Sequence, residues 1–102
     1  MTTSGKVLDE PRFSLAPYIG DMTEKQENAA RSMTGSQHVA IQKLRWIREK
    51  NGLSQREVAR KMGSAASVVC YIENGKIDPR ISTLRRYALA CGAEISFNVS
   101  EA

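Results

Sequence analysis

The sequence predicts a mainly α-helical domain that ends in one β-strand. Between Ser36 and Gly92, apolar residues recur three and four positions apart in segments that end at a glycine or an Asn-Gly pair. Serines suited to cap a first turn lie before several of these segments. Beyond Gly92 the period changes to alternation of polar and apolar residues, which is typical of a strand. These patterns predict four to five helices followed by the strand.

The sequence predicts that residues 1–35 form an N-terminal arm that is partly disordered or holds one short helix. Pro11, Pro17 and Gly20 interrupt its apolar residues, which are too scattered for a packed domain. Thr23 is suited to cap the short helix, and Gly35 to end it.

The sequence predicts that residues 36–92 form the folded domain. The expected helices span residues 36–50, 55–62, 65–73 and 83–91. Ser54 with Glu57 three residues later forms a capping-box sequence, and we expect Ser64 and Ser82 to cap the following two helices. The second and third helices are separated by a short turn at Gly63, which is the spacing of a helix-turn-helix.

The sequence predicts that residues 93–102 form a dimerisation strand and a tail. The apolar positions of this segment are Ile95, Phe97 and Val99. A strand with no partner in an otherwise helical chain leaves its backbone unpaired, so we expect it to pair with the same strand of a second copy across a two-fold axis. A frayed tail is the alternative.

Charge is concentrated in the middle of the chain. The net charge is +4, but residues 36–92 alone carry eleven lysines and arginines against four acids. A basic module indicates a polyanionic partner, although a solvated basic face is an ordinary alternative.

Other function classes find little support in the sequence. We expect no membrane span, no secretory signal and a cytoplasmic protein with reduced cysteines, Cys70 and Cys91. His38 is the one histidine, so we expect neither a metal site nor any cofactor. No set of nucleophile, histidine and acid and no phosphate-binding glycine loop indicates an enzyme.

The run from Leu53 to Lys76 resembles the Cro/C1-type (XRE) helix-turn-helix family. Its residues "LSQ", "VA", "MG" and "IENGK" follow one another at the family's separations, and the resemblance covers residues 39–92. It implies a lambda-repressor-like bundle whose second helix of the motif enters the DNA major groove. It also implies a charged pair, Arg48 and Glu73, that ties the first helix to the end of the third.

The resemblance implies two sets of DNA-contacting residues. The expected phosphate contacts are Gln55, Arg56, Asn74, Lys76 and Arg80. The expected base contacts are Ala65, Ala66, Ser67, Val68 and Tyr71. This second set lacks arginine, glutamine and asparagine, the usual bidentate readers of bases. Discrimination would then rest on two hydroxyls, on apolar contacts with thymine methyl groups and on DNA shape.

The predicted function is that of a homodimeric transcriptional repressor that binds a double-stranded DNA operator. Residues 83–99 are similar to antitoxins of the HigA and HipB type, which implies an autoregulating antitoxin of a type II toxin-antitoxin pair, with residues 1–35 as the element that binds a cognate toxin. A phage-type or stand-alone repressor and a protein-binding module with weak DNA specificity are the alternatives. Trp46 would anchor a partner or pack beneath the chain's own arm, against Phe13 or Tyr18.

Overall fold

The computed structural model describes residues 20–101, and helices account for most of this range. They are α1 (Glu24–Lys50), α2 (Gln55–Met62), α3 (Ala66–Glu73) and α4 (Ile81–Cys91). Helix α2 packs against α3 and α4, and α1 packs across α3 and α4. The mainly helical fold predicted from the sequence is confirmed. No helix within residues 20–101 has the length and apolarity to cross a membrane.

Helix α1 is longer than the sequence predicts. It begins after Thr23, whose hydroxyl accepts from the Gln26 backbone N–H while the Gln26 side chain accepts from Thr23, and it continues to Lys50. Gly35 does not end it. A glycine inside a helix costs about 1 kcal/mol, which is less than the cost of ending one helix and nucleating another. The predicted short helix and the first helix of the domain are therefore one element.

Helix α2 begins as predicted. The Ser54 hydroxyl accepts from the Glu57 backbone N–H at 3.0 Å, and the Glu57 carboxylate accepts from the Ser54 backbone N–H at 2.8 Å. These two hydrogen bonds hold the pKa of Glu57 below its ordinary value.

The predicted caps at Ser64 and Ser82 are wrong. Helix α3 begins after Ala65 and α4 after Arg80, and neither start has a side-chain cap. The Ser64 backbone N–H donates to the Ala59 carbonyl at 2.8 Å, so this residue completes the end of α2 instead. Ser82 lies inside α4, because the helical ladder already begins with the Leu84 N–H donating to the Arg80 carbonyl.

The hydrophobic core lies where the four helices meet. Ile41 and Leu44 come from α1, Val58 from α2, Ile72 from α3 and Tyr87 from α4, and each is buried. Cys91 is also buried, Cys70 is half-buried, and both thiols are free. Burial raises the pKa of the Cys91 thiol to about 11, so Cys91 serves as apolar packing.

The C-terminal segment, residues 93–101, has no assigned strand. Ile95 packs against the core, whereas Phe97 and Val99 are exposed. A strand requires a hydrogen-bonded neighbour, and residues 20–101 contain no other strand with which this segment could pair. The structure of one chain therefore does not support the predicted strand.

Candidate nucleic-acid interface

The interface is built on the turn between α2 and α3. Gly63 ends α2 in the left-handed region, with φ 71°, and the chain then needs two residues to reach α3. Ala59 is buried at mid-helix, where a small side chain lets α2 and α3 approach closely. The result is two short helices joined by a tight turn, the arrangement that places a second helix in a major groove.

A buried ion pair fixes the end of α3 to α1. The Arg48 guanidinium donates to both carboxylate oxygens of Glu73, from Nε at 2.7 Å and from Nη2 at 3.0 Å. Its Nη1 donates to the Leu53 carbonyl at 2.8 Å, which also holds the loop before α2. Both side chains are buried, so the predicted pair is confirmed in a bidentate geometry.

The Glu73 carboxylate accepts two further hydrogen bonds. The Tyr87 hydroxyl donates to Oε2 at 2.6 Å and the Gln55 side chain donates to Oε1 at 2.9 Å. Burial acts to raise the pKa of Glu73, but the hydrogen bonds from Arg48, Tyr87 and Gln55 outweigh it and hold the pKa below its ordinary value. Burial, with the bond to Glu73, raises the pKa of Tyr87.

Gln55 is therefore restrained before any DNA is present. It lies at the first position of α2, where backbone N–H groups and the positive end of the helix favour an anion. The family resemblance implies a phosphate contact for this side chain, but its hydrogen bond to Glu73, eighteen positions away, was not predicted. No local pattern signals such a contact.

The predicted base-contacting residues divide into two groups. Ala65, Ser67 and Tyr71 are exposed on α3 or at its start. Ala66 and Val68 are half-buried and pack against the core. The exposed group thus carries both hydroxyls of the predicted set.

The predicted phosphate-contacting residues lie before and after α3 along the chain. Arg56, Lys76 and Arg80 are exposed, and none of them forms an ion pair within residues 20–101. Asn74 lies at the end of α3, where its backbone N–H donates to the Cys70 carbonyl and its side chain to the Cys70 sulfur at 3.3 Å. The side-chain amide of Asn74 therefore already has a hydrogen-bond partner within α3.

Trp46 faces solvent on α1, with 59 % of its surface exposed. The Lys50 ammonium lies over its ring, 4.8 Å from the centroid, as a cation–π contact. The predicted partners beneath the arm, Phe13 and Tyr18, lie outside the described residues.

Comparison with known proteins points to the same module. The helix-turn-helix family model matches residues 44–98. The chain is 39 % identical over 59 residues to the HTH-type transcriptional regulator PuuR of Escherichia coli (strain K12) and, equally, to PuuR of Shigella flexneri. The matched region is 58 % of this chain and 32 % of each relative, so the chain spans about a third of their length. No solved structure matches the chain significantly.

The family match covers more than half of the chain and contains α2, the Gly63 turn and α3. It also contains Glu73, the centre of the buried hydrogen-bond network that fixes α3. The family match and the arrangement of these helices together show that the chain belongs to the helix-turn-helix family.

Proposed function

We propose that the chain is a transcriptional repressor that binds double-stranded operator DNA as a homodimer. The observation that carries this proposal is the α2–turn–α3 unit, in which α3 is held by the Arg48–Glu73 pair and presents Ser67 and Tyr71 to solvent. The similarity to a regulator of the same family supports the regulatory role.

The charges near this unit favour DNA as the partner. Arg56 lies at the start of α2, and Lys76 and Arg80 follow α3, so exposed cations flank the recognition helix in sequence on both sides. Such residues position a protein on the phosphate backbone without reading sequence. In a symmetric dimer the two copies of α3 would enter major grooves roughly 34–36 Å apart, on a palindromic site.

The experiment is a titration of the purified protein against duplex DNA from upstream of its own gene, with a random duplex of equal length as control. Each titration is run at two salt concentrations. We expect affinity for both duplexes to fall steeply with salt, because cations displace counterions from DNA, and we expect the upstream duplex to bind more tightly at both. Equal affinity for the two duplexes at both salt concentrations contradicts a sequence-specific repressor and favours a protein-binding module.

A narrower proposal is that this repressor is the antitoxin of a type II toxin-antitoxin pair. It rests on the resemblance of residues 83–99 to HigA- and HipB-type antitoxins. Residues 24–43 of α1 precede the region that the family model matches; Ala30 and Ile41 are buried there, whereas Met33 and Val39 are exposed and could contact a protein partner. A stand-alone or phage-type repressor has no need of such a partner.

The test is genetic and then biochemical. The gene adjacent to this one is expressed alone and together with this chain. Growth arrest that co-expression relieves, with a complex of the two proteins on size exclusion, is the expected result. An adjacent gene product that is harmless, or that remains toxic in the presence of this chain, contradicts the antitoxin proposal and leaves the repressor proposal intact.

A further inference from the structure

A shallow cleft of about 270 Å³ lies on the surface where α2 packs against α4. We call it the α2–α4 cleft. Lys61 lines it from α2, and Arg86, Leu89 and Ala90 line it from α4. Ala90 is buried, whereas Leu89 is 71 % exposed. The cleft thus presents an aliphatic side chain together with an ammonium and a guanidinium group.

The cleft lies in a positively charged surface. Arg60 and Arg85, each next in sequence to a cation that lines the cleft, are also exposed. None of these four cations forms an ion pair within residues 20–101. Helix α4 contains no acid, and the one acid of α2, Glu57, is held in the capping box with Ser54. Four exposed cations against one acid leave this surface with a net positive charge.

Folding alone does not account for the side chains that α4 contributes to this surface. Arg60 and Lys61 lie in the last turn of α2, where cations favour the negative end of the helix. Arg85 and Arg86 lie in the middle of α4, outside its terminal turns, so the helix dipole does not explain them. Leu89 keeps most of its apolar area in contact with water. A partner that neutralises the cations and covers the leucine would supply both missing interactions.

The cleft is distinct from the proposed DNA-binding surface. Helix α2 begins at Gln55, and Arg80 immediately precedes α4; both residues belong to the expected phosphate contacts. At about 1.5 Å per residue, Lys61 lies about 9 Å further along α2, and Leu89 lies about 14 Å beyond Arg80 along α4. The residues that line the cleft all lie outside the two sets of expected DNA contacts. Separate substitutions can therefore test the two surfaces.

We propose that the α2–α4 cleft binds an acidic segment of a partner protein, in which carboxylates flank an aliphatic side chain. The carboxylates pair with Arg86 and Lys61, and a guanidinium can hold a carboxylate through two parallel hydrogen bonds. The aliphatic side chain covers Leu89 and removes apolar area from water. This inference goes beyond the proposed binding of DNA and does not depend on it.

The chemistry of the cleft favours such a protein segment over other partners. A phosphate backbone would meet the cations but carries no aliphatic group to cover Leu89. A neutral apolar segment would cover Leu89 but would remove Arg86 and Lys61 from water without a counterion, which is costly. A segment with both carboxylates and an aliphatic residue satisfies the cations and the leucine together.

Peptide binding tests the chemistry of the proposed partner. The probe is a short fluorescent peptide with central leucines flanked by glutamates, titrated with the full chain and followed by anisotropy. One control peptide has glutamine in place of each glutamate, and the other has serine in place of each leucine. We expect the probe to bind at least about tenfold more tightly than either control. Its binding should weaken as salt is added, because salt screens exposed charges.

Substitutions in the chain test where the probe binds. Arg86→Glu reverses a charge of the cleft, and Lys43→Glu is its matched control, because Lys43 is exposed on α1 outside the cleft. We expect Arg86→Glu to bind the probe about fivefold or more weakly than Lys43→Glu does. Leu89→Ser should weaken binding of the probe but not of the serine peptide. All three positions are exposed, so circular dichroism should show equal helix content.

Three outcomes would overturn the inference. The first is a probe that binds no more tightly than its glutamine control. The second is an equal effect of Arg86→Glu and Lys43→Glu, which would assign the attraction to the net charge of the chain. The third is displacement of the probe by a random DNA duplex, together with a greater loss of DNA affinity in Arg86→Glu than in Lys43→Glu. That result would make the cleft part of the DNA-binding surface.

The same variants keep the inference separate from the proposed function. We expect Arg86→Glu and Lys43→Glu to lose similar affinity for the random duplex, because both lower the net charge of the chain by the same amount. A chain that binds no DNA but binds the probe through Arg86 and Leu89 would overturn the repressor proposal and support the cleft.

Discussion

Arg48 and Glu73 lie 25 positions apart in the sequence and form a bidentate ion pair that joins α1 to the end of α3. The pair is buried, and its carboxylate also accepts hydrogen bonds from Gln55 in α2 and Tyr87 in α4. One carboxylate thus contacts side chains from the three other helices. The orientation of the proposed recognition helix depends on this group.

Removing Arg48 should destabilise the domain strongly. Arg48→Ala leaves the buried Glu73 carboxylate with the 3.8 Å contact to the partly exposed Arg45 as its remaining ion pair within residues 20–101, and breaking a buried pair in this way costs about 3–5 kcal/mol. Urea denaturation followed by circular dichroism measures the loss. The matched control is Glu49→Ala, which removes an exposed carboxylate 3.3 Å from Arg45 and 3.7 Å from Arg48 but keeps the Arg48–Glu73 pair, and it should cost less than about 1 kcal/mol. Equal losses in the two variants would show that the buried pair has no special role.

Tyr87→Phe should change the dependence of stability on pH. The pKa of Glu73 is lowered in the folded state, so its contribution is present above the unfolded pKa of about 4.3 and is lost as pH falls through the folded pKa. Removing the hydroxyl brings that pKa closer to its ordinary value. We expect the variant to lose about 1.5–3 kcal/mol of unfolding free energy at pH 7. Its stability should then decline less steeply than that of the unmodified chain between about pH 5 and pH 3.

The measurement is a series of urea titrations over this pH range for the unmodified chain, Tyr87→Phe and Tyr71→Phe. Tyr71 is exposed, so its variant should follow the unmodified chain. Glu57 contributes to acid sensitivity in all three proteins, because Ser54 lowers its pKa in each. Parallel curves for Tyr87→Phe and the unmodified chain would mean that the hydroxyl does not stabilise the ionised carboxylate.

Gln55→Ala should weaken DNA binding without changing its salt dependence. Gln55 is neutral, so its proposed phosphate contact releases no counterion, and its loss should reduce affinity about tenfold or more at every salt concentration. Gln42→Ala is the control, because Gln42 also donates to Glu73, at the backbone carbonyl and 2.7 Å away, but lies on α1. An equal loss of affinity in both variants would assign the effect to packing rather than to a phosphate contact.

Arg80→Ala and Tyr71→Ala should have different effects on DNA binding. Arg80 precedes α4 and its side chain makes no capping bond, so its removal should spare the fold. We expect weaker binding to specific and random duplexes alike, with the salt slope reduced by about 0.9. Tyr71→Ala should instead reduce discrimination by about 1–3 kcal/mol. Titrations of both variants with both duplexes at several salt concentrations decide this, and an equal loss on the two duplexes for Tyr71→Ala would reject its base-reading role.

Local signals predicted part of this fold, and distant contacts account for the rest. The capping box at Ser54 and Glu57 and the glycine after α2 follow from residues close in sequence, so they were predictable. The Arg48–Glu73 pair came from the family resemblance. The contacts of Glu73 with Gln55 and Tyr87 depend on how three helices pack, and no periodicity in the sequence encodes them. The partial burial of Ala66 and Val68 likewise depends on the rotation of α3 against the core.

Alanine substitutions at Gly63 and Gly35 should have opposite effects on the stability of the chain. Gly63 has φ 71°, where a side chain is strained although no atom would meet the new Cβ within 4 Å, so Gly63→Ala should cost about 1–2 kcal/mol. Gly35 lies inside α1 and its Cβ would also meet open space, so Gly35→Ala should stabilise the chain by about 0.5–1 kcal/mol. Thermal and urea denaturation of both variants measure the signs. A destabilising Gly35→Ala would contradict a continuous α1 and restore the helix break that the sequence predicts.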